Sequence, residues 1–345
     1  MKRLRTAVVG LGRIGWKFHA PEIVKHAGFE LAAVVDPLTE RLAEAKTLWG
    51  VKGYTQYESL LAGEKLDLIV VASPTPFHAD QAIAAFGHGV DVFCDKPMAP
   101  SLAEADRMIR AAAEAGRKLM VYQPHRAGAD IVGLKSILAQ GLIGDVFMIK
   151  RASAWYARRN DWQAFRKNGG GMLNNYGAHY VDQLLHLAQS PAKRITCALR
   201  AVATLGDADD VVKAVIETGS GVVLDLDINM AAAHPIQPWL IFGRRGSIVL
   251  DETADAWRVR YFQEADLAPV AVQQGLAAEE RRYGSGETIP WKEVVLPLST
   301  FKPVDFYEQC YGYFALGQEP FVPVAETREV MRVLDACRRD AGWSA

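Results

Sequence analysis

The chain has 345 residues, a formal net charge of −1, and a composition that is 50% hydrophobic and 23% charged. That length favours two domains over one. The near-neutral charge gives no electrostatic basis for binding nucleic acid or an anionic membrane surface. Cys94, Cys197, Cys310 and Cys337 are scattered with no C-x-x-C pair, which reads as reduced core thiols and not a disulfide framework. No apolar run approaches the roughly 20 residues of a spanning helix. The basic N-terminus passes straight into a glycine-rich turn, which fits no signal peptide. The expectation is a soluble, cytoplasmic protein.

An apolar run over residues 6–9 predicts a strand, followed by Gly10, Gly12 and Gly15 in G-x-G-x-x-G spacing and a helix to residue 24. Gly10 suits a tight turn, Gly12 a close backbone approach to a pyrophosphate, and Gly15 close helix–strand packing, with the helix N-terminus facing the negative charge. A second strand over 31–35 ends at Asp36, 21 residues past Gly15, near the spacing at which a carboxylate meets adenosine ribose hydroxyls. A turn residue before Pro37 is the alternative. A carboxylate there repels a 2′-phosphate, and Arg41 is the only nearby cation, so NAD is expected over NADP.

Helices are predicted over 41–48, 57–62, 78–85 and 101–115, with strands over 66–72, 91–94 and 118–122 between them. Ser101 and Glu104 suit a capping box. Strands alternating with helices predict a parallel sheet covered on both faces, and ligands of such sheets sit beyond the carboxyl ends of the strands. From residue 124 the pattern changes. Helices over 131–140 and 172–188 flank a strand over 146–155. Strands over 194–204, 211–217, 221–230, 239–242 and 247–250 follow, joined by tight turns, which predicts a mostly antiparallel sheet. Residues 264–290 read as a long loop, and helices over 306–315 and 326–338 close the chain. The fold class is therefore an α/β Rossmann domain, residues 1–123, then an α+β domain with an open sheet, residues 124–345.

Two stretches carry candidate chemistry. Asp95-Lys96-Pro97 follows a strand and so falls on the crevice, where a lysine can donate hydrogen bonds beside a nicotinamide; a solvated surface lysine is the alternative. Residues 169–171 are three glycines leading into a helix on which Asn175, His179, Asp182 and His186 share a stripe about 60° wide. Such polar residues need partners or water. His179 is the best general-base candidate, because neutral imidazole takes a hydroxyl proton near pH 7. Asp182 would hold its tautomer or brace the helix, His186 suits a core or interface position, and no second motif supports a metal site. Trp155, Tyr156, Arg159, Asp161, Trp162 and Arg166 precede the glycines and suit sugar C–H faces and hydroxyls, with Trp162 and Arg166 placed nearest.

Three runs together resemble the Gfo/Idh/MocA family: Gly10-Leu-Gly-Arg-Ile-Gly15, Ala72-Ser-Pro-Thr-Pro-Phe-His78 leading to Cys94-Asp-Lys-Pro97, and Gly169-Gly-Gly-Met-Leu-Asn-Asn-Tyr-Gly-Ala-His179-Tyr-Val-Asp182. The resemblance covers essentially the whole chain. It implies an NAD(P)-dependent oxidoreductase acting on a sugar, cyclitol or related polyol, with a homodimer or homotetramer formed through the C-terminal sheet. With the readings above, it gives Gly10, Gly12, Arg13, Ile14, Asp36, Ser73, Pro74, Thr75, His78, Asp95, Lys96 and Gln123 as the expected cofactor contacts, and His125, Trp162, Arg166, Asn175 and His179 as the expected substrate contacts. Lys96 and His179 match the family's catalytic lysine and histidine. His125 and Arg126 reach the crevice or form an interdomain hinge. Asn175 stands where the family's dehydrogenases carry aspartate, and an amide carries no charge and passes no proton. Two other functions fit the same residues: an enzyme that retains NAD and cleaves glycosides by transient oxidation, and a non-catalytic NAD or sugar sensor.

Overall fold

The structure, a computed structural model, describes residues 3–272, 274 and 286–343. The first sheet is built from β1 (Leu4–Val9), β2 (Phe29–Val35), β3 (Lys52–Tyr54), β4 (Leu68–Val71), β5 (Asp91–Asp95) and β6 (Leu119–Tyr122). All its strands are parallel, in the order β3-β2-β1-β4-β5-β6. Its helices are α1 (Ala20–Lys25), α2 (Thr39–Trp49), α3 (Tyr57–Gly63), α4 (His78–Gly87) and α5 (Leu102–Glu114). The strands are apolar on both faces, as a sheet covered on both sides requires. Ala7, Val9, Ile69, Val71, Val92 and Cys94 face one buried cluster, and Val8, Val70 and Phe93 face the other.

The second half contains α6 (Ala129–Ala139), β7 (Val146–Ala154), α7 (Ala178–Ala188), β8 (Ala192–Arg200), β9 (Val211–Thr218), β10 (Val223–Asn229), β11 (Trp239–Gly243), β12 (Gly246–Asp251), β13 (Ala256–Tyr261) and β14 (Lys292–Pro297). These strands order as β14-β13-β12-β11-β7-β10-β9-β8. Every pairing is antiparallel except β7 with β10. Cys197 and Leu199 of β8 face the core while Thr196, Ala198 and Arg200 face out, the alternation expected of a sheet with one packed face. The outward face carries Lys150, Lys213, Asp225 and Asp227 in a ladder of ion pairs.

The chain then returns to the first sheet. Phe306, Tyr307, Cys310, Tyr311 and Phe314 of α8 (Phe306–Leu316) join the buried cluster of Leu4, Val8, Phe29 and Phe93. The final helix, α9 (Val324–Asp340), supplies Val330, Val333, Leu334 and Cys337 to the cluster shared by both sheets. The two lobes are thus fixed by one continuous apolar body.

Three expectations need correction. Residues 172–188 are not one α-helix: a π turn over Leu173–Gly177 precedes α7. A π turn closes i→i+5 bonds, so Asn175 is rotated away from the stripe that a uniform helix would give it. The capping box is half formed, since Ser101 Oγ accepts from the Glu104 amide at 3.3 Å while the Glu104 carboxylate turns to Arg107. Strands β3, β13 and β14 were not expected, although in β13 Trp257 and Val259 alternate inward with Arg258 and Arg260. Of the expected loop over 264–290, residues 273 and 275–285 lie outside the described residues.

The glycine turn after β1 is constrained by geometry. Gly10 has φ +93°, and a Cβ there would lie 2.7 Å from Ala72 O. Gly10→Ala is therefore expected to cost about 1–3 kcal/mol of folding stability by overpacking, read as a lower urea midpoint.

Candidate active site

The carboxyl ends of β1, β2, β4, β5 and β6 rim one crevice. At the end of β1 a Cβ on Gly15 would lie 1.9 Å from Gly10 O, whereas one on Gly12 would meet nothing within 4 Å. Gly15 closes the turn and Gly12 leaves open space, a cradle in which backbone can meet a phosphate. Asp36 at the end of β2 is 2% exposed. It accepts from the Leu11 amide at 2.8 Å and the Leu38 amide at 3.0 Å, and pairs with Arg41 at 3.1 Å. Gln123, at the end of β6, is 1% exposed and its Oε1 has no hydrogen-bond partner. A buried carbonyl in that state needs a donor, which a carboxamide amide group can supply. These residues fit a dinucleotide.

His78 is 1% exposed, with both ring nitrogens near backbone carbonyls. Its Nε2 lies 2.8 Å from Ser73 O and its Nδ1 3.1 Å from Pro97 O. It ties the loop after β4 to the turn after β5. Thr75 is buried in that loop, and a Cβ on Gly169 would lie 3.6 Å from its Cβ, so the glycine lead of the second lobe packs directly on it.

Lys96 bridges the lobes. Its Nζ donates to Asn175 O at 2.7 Å and to Asn175 Oδ1 at 3.2 Å. Burial pushes its pKa down to about 8; Asp95 opposes the shift and the Arg159 charge adds to it. Asp95 accepts from the Lys96 amide at 2.8 Å, and burial raises its own pKa to about 6. His179, 7% exposed, is driven well below the usual imidazole range, first by burial and then by the Lys96 charge and His125. Its ring stacks on His125 with centroids 3.8 Å apart and planes within 9°. The Nδ1 of His179 is buried and without a partner. An ammonium from one lobe thus lies close enough to a buried imidazole of the other for its charge to hold that ring neutral.

The expected stripe on the helix divides by partner. Asn175 meets Lys96 and donates to Gln163 Oε1 at 3.2 Å. Asp182 does not reach His179. It braces the helix through a bidentate pair with Arg126, at 2.7 and 2.6 Å, both side chains being 1% exposed. Arg126 also pairs with Glu326 of α9, so this arginine is a buried tie between segments. His186 lies at 3.3 Å from Lys135 Nζ, outside the crevice.

Trp162 is 45% exposed and adjoins Gln163. The Arg166 guanidinium lies 4.9 Å over the Trp343 ring. Two residues not singled out in the sequence shape the site. Gln163 holds Asn175, and Asp209 accepts from the Leu173 amide at 2.7 Å, capping the π turn. Gly171 is required there, because a Cβ would lie 2.2 Å from Asp209 Oδ1. Nothing local in the sequence links residue 209 to residue 173.

Residues 4–123 match the GFO_IDH_MocA family, described as an oxidoreductase family with an NAD-binding Rossmann fold, and residues 131–249 match the GFO/IDH/MocA C-terminal domain. The chain belongs to the Gfo/Idh/MocA family. Among relatives of this family, inositol 2-dehydrogenase of Streptomyces avermitilis is 37% identical over 148 residues, 42% of this chain and 43% of that protein. D-glucoside 3-dehydrogenase of Escherichia coli is 28% identical over 193 residues, 55% of each chain. The chain spans about half the length of the curated relatives it matches. Over its whole fold it resembles an NAD-binding protein from Listeria innocua, with TM-score 0.82, 25% identity, and 99% and 95% of the two chains covered. The WlbA dehydrogenase of Bordetella pertussis, solved with NADH and UDP-GlcNAcA, gives TM-score 0.78 at 22% identity, with 99% and 97% covered. Among the described residues, no helix is long and apolar enough to cross a membrane.

The Arg126–Asp182 pair sets the orientation of α7 relative to the crevice. Asp182→Ala leaves the buried guanidinium with only the half-exposed Glu326 carboxylate, and a loss of up to about 3–5 kcal/mol is expected in a denaturant titration.

Proposed function

We propose that the protein is an NAD-dependent oxidoreductase acting on a ring hydroxyl or ketone of a sugar, cyclitol or related polyol. The observation that carries this reading is the Lys96 Nζ contact to Asn175, one turn before His179. The names of the inositol and glucoside dehydrogenase relatives support the substrate class. The backbone of Gly10, Gly12, Arg13 and Ile14 would hold the pyrophosphate, Asp36 the ribose hydroxyls, and Ser73, Pro74, Thr75, Asp95 and Gln123 the nicotinamide side. When bound, the nicotinamide supplies the hydride acceptor or donor. Asp36 disfavours a 2′-phosphate, and Arg41, already paired with it, offers little compensation, which supports NAD over NADP.

In the oxidising direction the reacting hydroxyl lies against Lys96 and His179. Neutral His179 takes the hydroxyl proton as the electron pair of the adjacent C–H bond leaves with its hydrogen. Lys96, charged below a pKa of about 8, stabilises the developing alkoxide. In reduction both transfers run backwards. Subunits would pair through the open face of the second sheet as a dimer or tetramer. Buried, unpaired cysteines suit a reducing cytoplasm.

A panel of aldoses, glycosides and cyclitols, followed by absorbance of the reduced dinucleotide with NAD and with NADP, tests the reading. Turnover preferring NAD is expected. His179→Ala should lower kcat/KM by about 10²–10⁴-fold and Lys96→Ala by about 10²–10³-fold. Wild-type rates in both variants would refute the assignment. Sugar cleavage with no net reduced dinucleotide would instead favour a retained-cofactor glycoside-cleaving enzyme.

Asn175 makes a second prediction specific. Burial brings the Lys96 pKa down to about 8 and Asn175 offers it only neutral oxygens, so the rate should fall above that pH as the ammonium is lost. In Asn175→Asp a carboxylate favours the charged lysine. The alkaline fall in kcat/KM should then move up by about one pH unit or more, as read from pH–rate profiles.

A further inference from the structure

A cavity of about 640 Å³ lies between α6, the last turn of α7 and the start of α9, and neither Lys96 nor His179 lines it. That volume is in the range of small-molecule sites. Ile131, Val132, Val304 and Phe321 form its apolar wall. Arg126, Lys135, His186 and Glu326 form its polar wall, and the same four residues line a second cavity of about 450 Å³. The polar wall is therefore the junction of two adjoining spaces.

Opposite charges face this junction without neutralising one another. Lys135 is exposed on α6 and pairs with no carboxylate among the described residues. Its Nζ lies 3.3 Å from His186 Nε2. An ammonium only donates, so Nε2 accepts and the proton of the neutral ring sits on Nδ1. That Nδ1 is 4.0 Å from Glu326 Oε2, too far for a hydrogen bond. Burial, with the charges of Arg126 and Lys135, brings the His186 pKa down to about 4, so the ring is an uncharged spacer between a cation and an anion. Glu326 is half-exposed and holds Arg126 through Oε2. Its Oε1 has no partner among the described residues.

We propose that this cavity binds a free apolar α-amino acid. The carboxylate of the ligand meets the Lys135 ammonium and the His186 Nδ1–H, its ammonium meets Glu326, and its side chain lies on Ile131, Val132, Val304 and Phe321. The charges decide the class. An apolar acid without an amine faces the like charge of Glu326, and an amine without a carboxylate faces Lys135. A zwitterion satisfies both and brings no net charge to the buried Arg126–Asp182 pair next to it. Because the cavity holds neither member of the proposed catalytic pair, its occupant is not the reacting substrate, and failure of either reading leaves the other standing.

Isothermal titration calorimetry of the full-length protein with L-leucine and L-phenylalanine tests the site. A saturable heat with a Kd below about 10 mM is expected for at least one of them. Isocaproate is leucine without its ammonium and isoamylamine is leucine without its carboxylate; hydrocinnamate and phenethylamine are the matching pair for phenylalanine. Each should bind about tenfold or more weakly than the parent amino acid. Lys135→Met, on an exposed helix face, and Glu326→Gln should each weaken the amino acid by about tenfold or more, while Lys135→Arg keeps its affinity within about threefold. No saturable heat in that range, or equal affinity for the amino acid and its deaminated form, overturns the inference with the wild type alone. Binding unchanged in both Lys135→Met and Glu326→Gln puts the amino acid elsewhere and overturns it too. If no amino acid binds and Lys135→Met splits an oligomer in sedimentation velocity, a second copy of the chain covers the cavity and the inference fails.

Discussion

The site depends on one contact between lobes, the Lys96 ammonium on the two oxygens of Asn175. Lys96 is delivered by the end of a parallel strand and Asn175 by the π turn that opens a helix of the second lobe. Neither residue makes a site alone. The contact places a positive charge one turn from His179, and that charge helps to keep the imidazole neutral. A charged donor and a neutral acceptor side by side are the pair that alcohol oxidation requires, and carbonyl reduction starts from the protonated imidazole.

Rigidity around the contact comes from unlike sources. The strands are buried on both faces, so the end of β5 has little freedom. On the other side, Asp209 caps the π turn and Arg126 clamps Asp182 beneath α7. The clamp passes on to α9 through Glu326, and α9 packs in the core shared by both sheets. Polar ties thus set the direction of the helix, while apolar packing sets its depth. The dinucleotide cradle needs neither device, because steric limits at Gly10 and Gly15 fix the turn by themselves.

Much of this was legible in the sequence wherever the signal was local. The glycine turn, Asp36 at a strand end, the lysine before Pro97 and the inward alternation of β8 each follow from a few adjacent residues. The family resemblance then joined the three motif runs into one site. What was not legible depends on distant partners. Asp182 and His179 lie on one helix, and only the tertiary structure shows that Arg126 takes the carboxylate. The π turn broke the regular periodicity on which a shared stripe was read. α8 reads as an ordinary C-terminal helix, and its burial against Phe29 and Phe93 depends on a chain path that no short window records. Asp209 and Gln163 matter through hydrogen bonds to residues 172–175, a relation without a spacing rule.

The central claim is that Lys96 and His179 act on one oxygen atom. A double-mutant cycle measures this most directly, with kcat/KM taken for the wild type, Lys96→Ala, His179→Ala and the double variant on the same polyol. Groups that act as a unit give strongly non-additive losses, so the double variant should lose little more than the worse single one. Losses that multiply independently would contradict a shared reacting hydroxyl.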